Sequence, residues 1–109
     1  MSESSIDGQI IDRRLAIEVL HQAQVALPQP IRGWIAASGK FIAGEAPAAV
    51  APWARLWSHP QAPAVPAAGE LAPGVLNLVI SLNTKGVLEM RAWRLVDGAP
   101  AEVVLKIRE

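Results

Sequence analysis

Val75-Leu76-Asn77-Leu78-Val79-Ile80-Ser81-Leu82 is the longest strongly apolar run of the chain. It is nearly continuous rather than alternating, as in a strand covered on both faces, so it predicts the central strand of a sheet. Downstream, Asn83-Thr84-Lys85-Gly86 reads as a turn. Val87 to Val96 then alternates Leu88, Met90 and Ala92 with Glu89, Arg91 and Trp93, the period of a strand with two unlike faces. Asp97-Gly98 marks the next turn, and Ala101 to Ile107 supplies a last strand.

Upstream of the run the chain is less regular. Pro60 to Gly74 is rich in proline and alanine with Glu70 as its single charge, and Gly44 to Pro52 is a similar connection. A short apolar element through Trp53 and Trp57 lies between them. Ile31 to Ala37 and Lys40 to Ala43 predict two strands around a turn at Ser38-Gly39. Before them Ile11, Leu15, Val19 and Ala23 recur every four residues, while Arg13, Arg14, Glu18, Gln22 and Gln24 fall mostly elsewhere. That spacing predicts an amphipathic helix from about Asp12, a suitable cap, to Leu27. Pro28 and Pro30 stop it for want of an N–H. The fold class is therefore α+β: an N-terminal helix packed on a mostly antiparallel mixed sheet. Residues 1–8 read as a flexible end and 9–109 as one domain, with no internal repeat.

Composition bounds the function. A chain of 109 residues is large enough for one hydrophobic core. Ten basic and ten acidic residues cancel, which offers no electrostatic footprint for nucleic acid or an anionic membrane. The absence of cysteine excludes disulfides and thiolate metal sites. The polar start lacks a secretory pattern, and the apolar run is too short to span a bilayer, so the expected location is cytoplasmic.

The residues that carry chemistry are Trp57-Ser58-His59-Pro60, followed by Pro66-Ala67-Ala68-Gly69-Glu70. This resembles the signature of the JAMM (MPN, or JAB) zinc isopeptidases, which reads His-x-His-Pro, a spacer, then Ser-x-x-Asp. Pro28-Gln29-Pro30-Ile31-Arg32-Gly33 is similar to the family's Pro-x-Glu-x-x-Gly. Val79-Ile80-Ser81-Leu82 and Arg91-Ala92-Trp93-Arg94-Leu95 are similar to the strands that follow in small bacterial members. The resemblance covers roughly residues 10 to 107. It implies a JAMM/MPN-like, cytidine-deaminase-like architecture, truncated between Gly33 and Trp57 where this chain is shorter than typical members.

The same resemblance implies lost chemistry. Trp57 stands at the first histidine, Pro30 at the glutamate base, Ala67 at the serine and Glu70 at the aspartate. His59 alone is unchanged. A catalytic zinc usually keeps three protein ligands, and here only His59 and Glu70 carry donors; the longer glutamate arm would require its loop to shift. Indole offers an N–H and no lone pair. Pro30 cannot move a proton, and Ala67 has no hydroxyl to support an oxyanion. Glu18 and Glu45 lack the spacing to replace the base. No catalytic residue and no cofactor are expected, and His59 and Glu70 are vestigial ligands.

Read without the family, His59 is a loop-start histidine making one hydrogen bond and His21 a surface residue. Trp34, Trp53 and Trp93 are packing aromatics, and Arg91 and Arg94 belong to a solvated face. The implied function is a catalytically inactive protein-binding or assembly module. Its partner would be a ubiquitin-like or sulfur-carrier protein, or an active family member, held in a groove at Trp57, Ser58, His59, Leu78 and Val79. The alternatives are a divergent zinc-dependent isopeptidase or peptidase processing a ubiquitin-like protein, with zinc as cofactor, and a structural domain that homodimerises through an exposed edge strand.

Overall fold

The computed structural model describes residues 9–37, 39–44, 52–82 and 89–108. The elements run β1 (Gln9–Asp12), α1 (Arg13–Val25), β2 (Arg32–Ala36), β3 (Phe41–Ala43), β4 (Pro52–His59), β5 (Leu76–Ser81), β6 (Glu89–Val96), β7 (Ala99–Val103) and β8 (Leu105–Arg108). A 3-10 turn at Ala68–Glu70 interrupts the connection from β4 to β5. Six strands form one sheet in the order β3-β2-β4-β5-β6-β7, and β1 pairs with β8 beside it.

All six residues of β5 are buried, and both its edges are paired, with β4 in parallel and β6 antiparallel. Its side chains alternate between two cores. Leu76, Leu78 and Ile80 join Leu15, Ala16, Val19 and Ala23 of α1, together with Ile35, Leu56 and Ala92. Val79 joins Trp57, Ala64, Leu71 and Trp93 on the opposite face. One face of the sheet is thus covered by a helix and the other by the 60–75 connection.

Several expected elements shift. The helix ends at Val25, and Asp12 occupies its N-cap position without a side-chain capping bond. The Asp12 carboxylate lies 3.5 Å from Arg108 Nη2 instead. Ile11 fits the four-residue helical stripe but belongs to a strand, whose register sets it beside Ile107. The last strand is two strands, broken at Val104 so that β8 leaves β7 and meets β1. The sheet is not a simple meander, because the β4–β5 pair and the β1–β8 pair are both parallel. The Asn83–Gly86 turn, Ser38 and most of 44–52 lie outside the described residues. Asp97 and Gly98 have φ of 51° and 79°, the paired positive values of a tight two-residue hairpin. No helix among the described residues is long and apolar enough to cross a membrane.

Gly33 sets how closely β2 and β3 approach. A Cβ there would strike the Ile42 carbonyl oxygen and lie 2.8 Å from Phe41 Cε1 and 2.9 Å from Ala43 Cα. Two of those atoms are backbone and cannot rotate away. Gly33→Ala should therefore destabilise the domain by about 1–3 kcal/mol, as overpacking does, and hydrogen exchange should rise first in β3. Leu78→Ala or Ile80→Ala, at fully buried positions, should each cost about 2–5 kcal/mol in chemical denaturation. An unchanged midpoint for both would mean that β5 is not the central strand.

Candidate functional site

Alternation along β4 decides which residues share a surface. Ala54 and Leu56 point into the helix-side core, so Arg55, Trp57 and His59 fall on the other face. Arg32 of β2 is paired with Trp57, and Trp34 with Arg55. The 3-10 turn closes over this surface and leaves a cleft of about 500 Å³ lined by Pro30, Ile31, Arg32, Arg55, Trp57, Ser58, His59, Gly69, Glu70 and Leu71.

Residues far apart in sequence therefore meet. Pro30, Trp57, His59 and Glu70 line one cleft, while Ala67 lies outside its lining and is exposed. Trp57 is only 7% exposed. Its indole Nε1–H donates to His59 Nε2 at 3.1 Å. The other ring nitrogen, Nδ1, is 2.8 Å from the Pro63 carbonyl oxygen. A carbonyl can only accept, so Nδ1 carries the proton and Nε2 presents the lone pair that the indole takes. His59 makes two hydrogen bonds rather than the single one expected.

Glu70 is held from the other side. Its Oε1 accepts the Ala67 N–H at 2.9 Å, closing the first turn of the 3-10 segment. Its Oε2 is 3.5 Å from His59 Nε2. Arg55 lies with its guanidinium carbon 4.7 Å from the Trp57 ring centroid and donates to the main-chain carbonyl of Glu70.

Ser58 lines the cleft and is also a stitch between strands. Its Oγ accepts the Ile31 N–H at 2.8 Å, and its own N–H donates to the Ile31 carbonyl. Leu78 and Val79 do not line a groove at all. Both are fully buried, Leu78 in the helix-side core and Val79 beneath the connection. Nor can a partner strand add to β5, because neither edge is free. The cleft-lining residues that sequence reasoning gave no site role are Ile31, Arg32, Arg55, Gly69 and Leu71. For Arg55 a signal existed, since it stands two residues before Trp57 in a strand and so shares its face.

No family model matches the chain, and no curated protein matches it. Solved structures do. The chain is similar to protein DSY2949 from Desulfitobacterium hafniense, with TM-score 0.73 and 17% identity over 93% of this chain and 94% of that one. It is also similar to AF2198, a JAB1/MPN domain protein from Archaeoglobus fulgidus, with TM-score 0.69 and 16% identity over 93% of this chain and 100% of that one. A protein from Salinibacter ruber matches with TM-score 0.55 and 14% identity over 94% and 92% of the two chains. The fold is that of a JAB1/MPN domain. Against the length of AF2198 the chain is not shortened.

The residues present do not fit the zinc that such a fold implies. Among the described residues no group of three or more His, Cys, Asp or Glu side chains is placed to hold a metal. The His59 lone pair is already engaged, by an indole that has none to offer in return. The geometry nevertheless remains close. Ligand atoms bound at about 2.0–2.1 Å in tetrahedral zinc lie roughly 3.3 Å apart, and His59 Nε2 and Glu70 Oε2 are 3.5 Å apart. Trp57→His should therefore create a three-donor set without any change at Glu70. Removing the buried indole should lower the melting temperature, and zinc should recover part of the loss by binding the folded state. A folded Trp57→His protein whose melting temperature ignores zinc would show that Trp57 does not stand in a ligand position.

Proposed function

We propose that this chain is a catalytically silent MPN-type domain that works as a protein-binding module. The observation that carries the reading is the Trp57 Nε1–H to His59 Nε2 hydrogen bond. It engages the His59 lone pair with a side chain that has none to offer a metal, which supports reading Trp57 as a substituted ligand. The other groups of a hydrolytic site are missing as well, since Pro30, in the same cleft, has no proton to exchange, and Ala67, outside it, has no hydroxyl. What the cleft retains is shape. It has the size of a small recognition pocket, with apolar walls from Pro30, Ile31 and Leu71 and polar groups at the rim.

The partner class that the family resemblance implies is a ubiquitin-like protein with a flexible tail. Binding through the cleft would use side-chain and rim contacts, because β5 offers no edge for strand addition. Two measurements test this together. Purified protein should cleave neither isopeptide nor peptide substrates above the buffer rate, with or without zinc. An NMR titration with a ubiquitin-like protein should move the Trp57 indole and the amides of Ile31 and Leu71. Chelator-sensitive turnover lost in His59→Ala would overturn the first half. Shifts confined to the exposed face of α1 would overturn the second.

A further inference from the structure

We propose that the cleft recognises an acidic segment of its protein partner, with Arg32 and Arg55 receiving an Asp or Glu side chain. This rests on the reading of the domain as a binding module and names the chemistry of what it binds. Arg32 and Arg55 sit on neighbouring antiparallel strands, Arg32 opposite Trp57 and Arg55 opposite Trp34. They are therefore diagonal neighbours on one face, with Cα atoms about 7–8 Å apart. Both line the cleft.

Neither guanidinium has a carboxylate partner among the described residues. The ion pairs there involve Arg91 and Arg108 as the arginines. Glu70 shares the cleft, but its carboxylate is directed at the Ala67 N–H and at His59. Arg55 meets only the main-chain oxygen of Glu70. Stacking on Trp57 fixes the Arg55 guanidinium plane and spares it part of the ordering cost of binding. Two like charges held on one small surface are relieved by an anion between them, and arginine forks match a carboxylate's two oxygens.

The walls select what accompanies that anion. Pro30, Ile31 and Leu71 offer apolar contact within a side chain's reach of the arginines. The occupant that fits is an acidic residue next to an apolar one. A nucleic-acid strand fits less well. It needs a row of cations along its backbone, whereas this cleft holds two arginines and a glutamate in a chain with equal numbers of acidic and basic residues.

The test is selection from a phage-displayed library of random short peptides on the wild-type protein, followed by binding measurements on the synthetic winners. We expect winners enriched in Asp or Glu beside an apolar residue, shifting the Trp57 indole signal and weakening as salt is added. Exchanging the acidic residue for its amide, or making Arg32→Gln, should each reduce affinity about tenfold, the loss of one charge-assisted contact. Arg55→Gln should do the same. If it disturbs the fold through Trp57, Arg32→Gln decides alone, because among the described residues the Arg32 side chain makes no hydrogen bond or ion pair. Winners without acidic enrichment that still shift Trp57 would sink this inference and leave the binding-module reading standing. Failure to select any cleft-binding peptide would sink both. A single-stranded oligonucleotide that binds the cleft more tightly than every peptide would replace the acidic segment with a phosphate backbone.

Discussion

Burial of β5 on both faces is the constraint from which the rest follows. A strand with no exposed residue needs two covers, and the described residues hold one α-helix. The second cover is the 60–75 connection, a segment rich in carbonyls and poor in donors because prolines 60, 63, 66 and 73 lack N–H groups. Buried carbonyls must be satisfied. The sheet supplies the donors from its outer face: His59 Nδ1–H to Pro63, Ser81 Oγ–H to Ala62, Trp93 Nε1–H to Ala64, and Arg55 to Glu70. Asn77, fully buried, accepts from the Ala72 N–H and donates to the carbonyls of Ala72 and Val75. The loop is a second layer because side chains from four strand positions and one amide pair pin its backbone.

This changes the meaning of the histidine. In a metal site, an imidazole's outer nitrogen is usually oriented by a carbonyl or carboxylate so that the inner one can ligate. His59 has the outer half of that arrangement, with Pro63 as the orienting carbonyl. The inner half is turned to Trp57. His59 thereby ties β4 to its own loop through Pro63 while accepting from Trp57, and the apolar body of the indole packs with Ala64, Leu71 and Val79. Packing and hydrogen bonding both favour the indole here, as part of the second core.

Much of the fold was legible in the chain. The central strand, the β6–β7 hairpin at Asp97-Gly98 and the helix each follow from periodicity or turn chemistry confined to a short window. What stayed hidden depends on distant pairing. Ile11 satisfies a helical stripe as well as a strand, and only β8, almost a hundred residues away, decides between them. The break at Val104 has no Pro or Gly to announce it. The parallel β4–β5 pair was invisible because the connection carries no helix, which is the usual sign of a crossover. The convergence of Pro30, Trp57, His59 and Glu70 on one cleft came from the resemblance. Leu78 and Val79 were assigned to the groove because the resemblance sets it beside the central strand they belong to, although complete burial of β5 leaves them no surface.

The cleft residues divide by whether their polar groups are already spent. Trp57, His59, Ser58 and Glu70 have theirs committed to one another, to Pro63, to Ile31 and to Ala67. Substituting Trp57, His59 or Glu70 first disturbs the loop that covers β5, and substituting Ser58 disturbs the Ile31 junction; any effect on binding would follow from that. Arg32 has no such commitment, and Arg55 uses one donor of the five that a guanidinium carries. Under the binding reading proposed above, the open cationic donors beside Pro30 and Leu71 are what would choose a partner, by charge and by fit. The groups that hold the second layer and those left open for a ligand are thus partly separate: Arg32 stands on one side of the division, the tryptophan–histidine pair on the other, and Arg55 on both.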